Sequence, residues 1–194
     1  MNLKLIVAQV DRELAHLGFF RKGSTWNRPK GDLVEVIDIQ LSTAGNSVTI
    51  NAGVLARSTH MLCWGHDAGT FVEEPECTVR ARVGQLIDGK DCWWDLVADN
   101  ATQHVTDSIR DRILPFVDRM SSMEAMRDWL LTMGAPSRRW PLPTVNYAII
   151  ESQLGAKTLA CEVLEDLERS ALGGWRTRAR EVATRLGCDI REGN

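Results

Sequence analysis

The chain has 194 residues, 44% of them hydrophobic and 25% charged, with a formal net charge of −3 and a pI near 5.8. A chain of this length hides roughly 70% of the surface its unfolded form exposes, so it needs neither disulfides nor a metal to hold a core. The composition excludes disorder, and the acidic balance argues against a nucleic-acid binder, which gathers Lys and Arg on one face, and against docking on anionic lipid.

Five cysteines (Cys63, Cys77, Cys92, Cys161 and Cys188) are odd in number and follow no framework spacing. They are expected to be free thiols in a reducing cytoplasm. Near the N-terminus, Gln9 and Asp11 break the short apolar run too early for a signal-peptide core. No apolar stretch approaches the ~20 residues of a membrane span.

Residues 3–17 carry Leu3, Ile6, Val7, Val10, Leu14 and Leu17 at spacings of three and four. That is one apolar helix face, stopped by Gly18. Strands are predicted over residues 24–28, 33–41 and 47–55, separated by turn chemistry at Pro29-Lys30-Gly31-Asp32 and Gly45-Asn46. In the third, Val48, Ile50, Ala52 and Val54 alternate with Thr49, Asn51 and Gly53. The connections are too short for parallel crossovers, so an antiparallel meander is expected. Residues 56–75 read as a long loop, with the acidic run Glu73, Glu74, Glu76 as a solvated turn. Residues 76–87 alternate and are read as a fourth strand.

Helices follow. The stripe Val105, Ile109, Ile113, Phe116, Val117 and Met120 is interrupted by Pro115, which should end or kink the helix near Leu114. Ser121 or Ser122 caps the next, with Met126, Trp129, Leu130 and Met133 as its buried face. A proline-rich stretch, 135–143, precedes three short helices. The expected fold is α+β: a four-stranded antiparallel sheet packed by an N-terminal helix and later helices, with a helical C-terminal extension. The expected division is an α+β domain over residues 1–134, a linker over 135–143 and an extension over 144–194 packed on the main domain.

The run Gly18-Phe19-Phe20-Arg21-Lys22-Gly23-Ser24-Thr25-Trp26-Asn27-Arg28 resembles the opening of the bacterial family called domain of unknown function 4304. Val34 to Gln40, Ile50-Asn51-Ala52-Gly53-Val54, Arg80-Ala81-Arg82-Val83-Gly84, Trp93-Trp94 and Leu114-Pro115 resemble its later landmarks. The resemblance covers roughly residues 10–130. Asn27 departs from it, standing where an aromatic is expected. The resemblance implies a compact strand-and-helix fold in bacteria and carries no assigned activity.

No phosphate-binding glycine loop, dinucleotide fingerprint, nucleophile elbow or pair of histidines three or four apart on a helix with a glutamate is present. No cofactor or catalytic residue is expected, and a non-enzymatic role is favoured over an enzymatic one. The loop donors His60, Cys63 and His66, with Cys77, have the chemistry to close a tetrahedral zinc site. An ordinary polar loop with one buried thiol is the preferred reading, and no metal residue is assigned.

Strand alternation puts Asp38 with Gln40, Thr49 with Asn51, and Arg80 with Arg82 on common sides. If those sides coincide, the sheet has a polar face that Trp26 can join. Such a face suits an anionic group, because arginine offers a planar fork, or a partner protein. The ordinary reading is a solvated sheet face. Seven tryptophans against one tyrosine add binding potential: Trp93 and Trp94 point different ways, and an exposed Trp is typical of a binding hot spot. Trp140 is expected to pack the C-terminal segment on the body, and Trp175 to be core.

The binding residues expected are Trp26, Gln40, Asn51, Arg80, Arg82, Trp93 and Trp94. The expected function is a protein-binding module, an immunity or regulatory partner. The alternative is a small-molecule or anionic-ligand binding protein or enzyme using the polar face. The expected partner is another protein, not nucleic acid or membrane, and the oligomeric state is left open.

Overall fold

A computed structural model describes residues 3–188; the ends of the expected division, at 1–2 and 189–194, lie outside them. The chain forms two compact units. Among the described residues, one comprises residues 3–55 and 69–119, the other residues 56–68 and 120–188.

The first unit is α+β. Helix α1 (Leu3–Ala15) precedes strands β1 (Phe20–Lys22), β2 (Thr25–Lys30), β3 (Leu33–Leu41) and β4 (Ser47–Ala56). Strand β5 (Val79–Arg82), helix α3 (Val83–Ile87) and strand β6 (Trp94–Asp95) follow, then helix α4 (Ala101–Ser108), a π-helical segment (Ile109–Ile113) and helix α5 (Leu114–Arg119). The antiparallel sheet has the order β1-β2-β3-β4-β5, with β6 also paired to β4. Among the described residues it thus has six strands rather than the expected four.

The two added strands have three and two residues, too short for an alternation to register. The hairpin joining β1 to β2 pairs Lys22 with Thr25 across Gly23-Ser24. Gly23 takes φ +66°, a conformation costly for any side chain. The predicted fourth strand stops at Arg82, and the chain turns into α3 at Val83.

One sheet face is apolar and covered by helices. Trp26 is fully buried there, and its indole N–H donates to Asp11 of α1 at 2.9 Å. Ile6, Val10 and Leu14 form the buried stripe of α1, whereas Leu17 lies past its end, exposed. Arg28 of β2 pairs with Glu35, and Arg28 and Lys30 both reach Asp118 of α5 at 2.7 and 3.0 Å. Pro115 does not end the helix. The preceding turn widens to π geometry, with the Leu114 N–H donating to the Ile109 carbonyl. This gives the proline ring room where an α-turn would crowd the carbonyl four residues back.

The other face carries Thr25, Asn27, Asp38, Thr49, Asn51 and Gly53, and much of it is not solvated as the alternation suggested. Asn27 and Thr49 are fully buried. Residues 69–78 cross this face. Asn27 accepts from the Val72 N–H at 2.7 Å and donates to its carbonyl at 2.9 Å. An aromatic at position 27 has no such pair of hydrogen bonds to offer. The segment includes a short 3₁₀ turn, Glu74–Glu76, whose Glu74 is buried rather than solvated.

The second unit is helical. Helix α2 (Arg57–Trp64) starts as β4 ends, where a loop was expected. Its buried residues are Thr59, His60 and Cys63, too polar to register as an amphipathic stripe. Helix α6 (Met123–Thr132) is capped by Ser122, whose Oγ accepts from the Ala125 N–H at 3.2 Å. Met126 and Leu130 of α6 are buried, whereas Met133 past its end is exposed.

Helix α7 (Pro141–Gln153) begins inside the expected linker, with proline at the position where its missing N–H costs nothing. It packs with α8 (Lys157–Ser170) and α9 (Gly174–Leu186) on a core that includes Cys63, Ile149, Leu164 and Val182. Trp175 sits at the edge of this core against Trp64. Trp140 is 57% exposed rather than packed.

Cys161 and Cys188 form a disulfide across α8 and the end of α9, with Cα atoms 5.6 Å apart. The expectation of five free thiols therefore fails: Cys63, Cys77 and Cys92 are free. The thiol-based argument for a reducing compartment loses its premise. No helix among the described residues is long and apolar enough to cross a membrane.

Gly53 shows how tightly residues 69–78 sit on the sheet. A Cβ there would lie 2.6 Å from the Cys77 Cβ and 2.8 Å from the Val79 carbonyl oxygen. Gly53→Ala is expected to lower stability by about 2–3 kcal/mol through overpacking, read as a lower urea midpoint at unchanged slope.

Candidate functional site

The register of β4 and β5 places Asn51 directly opposite Arg82, and Gly53 opposite Arg80. Both arginines therefore leave the same sheet face. Their surroundings differ.

Arg80 is bound to Glu74 through two parallel hydrogen bonds of 2.8 Å. The Glu74 side chain is 6% exposed. A buried carboxylate needs such a partner. Arg80 thus fastens the crossing segment to the edge strand.

Arg82 sits at the centre of a polar cluster. Its Nε donates to Asn51 Oδ1 and its Nη2 to Gln40 Oε1, each at 3.1 Å. Asn51 Nδ2 donates to the same Gln40 oxygen at 2.9 Å. These two neutral amides orient the guanidinium without balancing its charge. The third side of the fork, Nη1, donates to Asp91 Oδ1 at 3.2 Å. Trp93 Nε1 donates to the other Asp91 oxygen at 2.8 Å, and the guanidinium carbon lies 5.5 Å from the centre of the Trp93 ring. Hydrogen bonds from Trp93 and Arg82 hold the Asp91 carboxyl below its ordinary range.

Beneath this cluster, Asp38 accepts from Thr25 Oγ1 at 2.8 Å. Burial pushes the Asp38 carboxyl above its ordinary range, against the pull of hydrogen bonds from Thr25 and Asn51. The neighbouring Thr49 hydroxyl is buried with no hydrogen-bond partner among the described residues.

The structure thus brings together Gln40, Asn51, Arg82 and Trp93. It places Arg80 beside them on a different carboxylate. Trp26 lies on the opposite face, because a one-residue step along a strand reverses the side chain. Trp94 is half-buried on β6, paired with Val48 of β4. Asp91 was missed by sequence reasoning. Its signal was its position two residues before Trp93, in a turn that returns to the sheet.

The loop at 88–92 is held by a close backbone approach. A Cβ on Gly84 of α3 would lie 1.8 Å from the Lys90 carbonyl oxygen. That contact fixes the backbone from which Asp91 and Trp93 project.

The other sequence candidates are less suited to chemistry. Burial, with Asp88 and Asp91 nearby, pushes the Cys92 thiol up, the wrong direction for a nucleophile. The Cys63 thiol is pushed up to about 11 by burial, against the opposing charges of Arg178 and Arg185. The rings of His60 and His66 are 5.4 Å apart. Cys77 belongs to the sheet unit, where burial raises its thiol well above the ordinary range. Among the described residues, no group of three or more His, Cys, Asp or Glu side chains is placed to hold a metal ion.

Two measurements check these assignments. Arg80→Ala leaves the buried Glu74 carboxylate without its bidentate partner and is expected to cost about 2 kcal/mol. Arg82→Ala is expected to cost less than about 1 kcal/mol, since its charged partner is exposed. Urea midpoints of the two variants distinguish them.

The raised Asp38 carboxyl means that the folded state keeps a proton which the unfolded chain has already lost just above pH 3.8. Its contribution to stability therefore falls as pH rises through that window. Asp38→Asn is expected to flatten this part of the stability profile, read as the difference between the two proteins' midpoints against pH.

No curated protein and no solved structure matches the chain. A family model does, over residues 10–119, which span the polar cluster from Thr25 to Trp93 and end with α5. The chain belongs to the family described as a domain of unknown function (DUF4304).

Proposed function

We propose that this protein is a non-enzymatic protein-recognition module, acting as an immunity or regulatory partner, and that the Arg82–Trp93 corner of the sheet is its contact surface. One observation carries the reading: Arg82 is oriented in advance by Gln40 and Asn51 and lies beside Trp93, with its side chain 36% exposed. Arginine and tryptophan are both enriched among the residues that carry most of the binding energy at protein interfaces. Its side-chain freedom has already been lost in the unbound protein, which lowers the cost of association.

Two features of the cluster favour recognition over chemistry. Cys92 is poorly suited to act as a nucleophile, and Asp38 is engaged by Thr25. An anionic small molecule is a weaker fit, because both guanidiniums already face carboxylates, Glu74 and Asp91.

The test is a pull-down from the native cell lysate read by mass spectrometry. The wild-type protein is expected to retain one stoichiometric protein partner. Trp93→Ala and Arg82→Ala are each expected to weaken that complex by at least about thirtyfold, the scale of a hot-spot loss of about 2 kcal/mol. No partner, or a partner indifferent to both substitutions, overturns the proposal.

A further inference from the structure

We infer that Arg82 and Trp93 form a receptor for a carboxylate of the partner protein, an Asp or Glu side chain, and that Asp91 occupies it in the unbound protein as an internal stand-in. The inference rests on the recognition reading above and specifies what that surface binds.

The geometry is that of two donors converging on one carboxylate. Arg82 Nη1 takes one oxygen at 3.2 Å and the Trp93 indole N–H takes the other at 2.8 Å. The Asp91 side chain is 56% exposed. The opposite side of the guanidinium is held by Asn51 and Gln40, which fix its plane whether or not Asp91 is in place. The backbone beside Asp91 is anchored at Gly84 through Lys90. Release of the site therefore requires that the Asp91 side chain rotate into solvent, and the amides keep the guanidinium in place as it does.

The amides supply no negative charge, so a vacated site is a positively charged guanidinium N–H, at Nη1, with an indole donor beside it. A carboxylate spans those two donors with its two oxygens, as Asp91 does, which a spherical anion does not. An incoming carboxylate exchanges one ion pair for another of the same kind. The exchange is nearly balanced in charge, and the partner's remaining contacts decide it. Asp91 thereby disfavours isolated small carboxylates, which bring no further contacts, and selects an acidic side chain presented on a surface.

The test is carried out on the full chain. Sodium acetate and N-acetylglutamate are titrated against sodium chloride at equal ionic strength, following the indole N–H resonance of Trp93, assigned by its absence in Trp93→Ala. Asp91→Ala is expected to show a saturable shift at least about tenfold tighter than the wild type, since the internal competitor is gone. Asp91→Asn, which keeps the shape without the charge, is expected to shift in the same direction. The double variant Asp91→Ala/Arg82→Gln is expected to show none.

No saturable shift in either Asp91 variant, or one that survives loss of Arg82, overturns the inference. A lysate partner retained through Trp93 and Arg82 alongside such a result leaves the recognition reading standing without the carboxylate. A carboxylate shift in Asp91→Ala with no lysate partner overturns the assignment to a partner side chain and leaves a small-carboxylate site.

Discussion

The antiparallel register between β4 and β5 is the constraint on which the sheet unit's polar chemistry depends. It sets Asn51 opposite Arg82 and Gly53 opposite Arg80. Because side chains alternate along a strand, a slip of one residue would turn both arginines toward the helix-covered apolar face. The apolar residues flanking them in alternation, Val79 and Ala81, are buried on that face. Hydrophobic burial therefore secures the register, and the polar cluster is arranged by a force that acts on its neighbours.

Arg80 and Arg82 are two residues apart on one strand and share one side, yet they differ in role. Residues 69–78 bring a buried carboxylate, Glu74, to Arg80. That pair is structural in character, because removing Arg80 strands a buried carboxylate. The turn after α3 brings an exposed carboxylate, Asp91, to Arg82. That pair contributes little to stability and leaves the guanidinium accessible. The path of the chain above the sheet separates anchor from contact.

The crossing segment also explains the concentration of buried polar groups in this unit. Residues 69–78 bring backbone N–H and C=O groups onto a sheet face, and each needs a partner once water is excluded. Asn27 supplies both a donor and an acceptor to Val72. The tight approach of Cys77 is possible because position 53 has no side chain. Asn27, which departs from the family pattern, and Gly53, within β4, are thus the points where the cover is attached.

Much of the architecture follows from the sequence alone. The N-terminal helix, the strands β2 to β4 and the later helices were legible because their apolar residues recur at a period that only one local geometry satisfies. The same alternation put Gln40, Asn51 and Arg82 on shared strand sides. Only the tertiary structure decided the rest. Strands β1 and β6 are too short to carry a period, α2 buries polar residues, and Pro115 is absorbed by a π turn. Trp26 joined the apolar face because its strand phase, not its polar tip, sets its direction. The pairing of Cys161 with Cys188 depends on how α8 and α9 meet, and the convergence of Asp91 and Trp93 on Arg82 depends on a turn held against Gly84. Periodicity is a local property, set by backbone geometry within one element. Which side chains meet across elements depends on contacts distant in sequence, which no local pattern records.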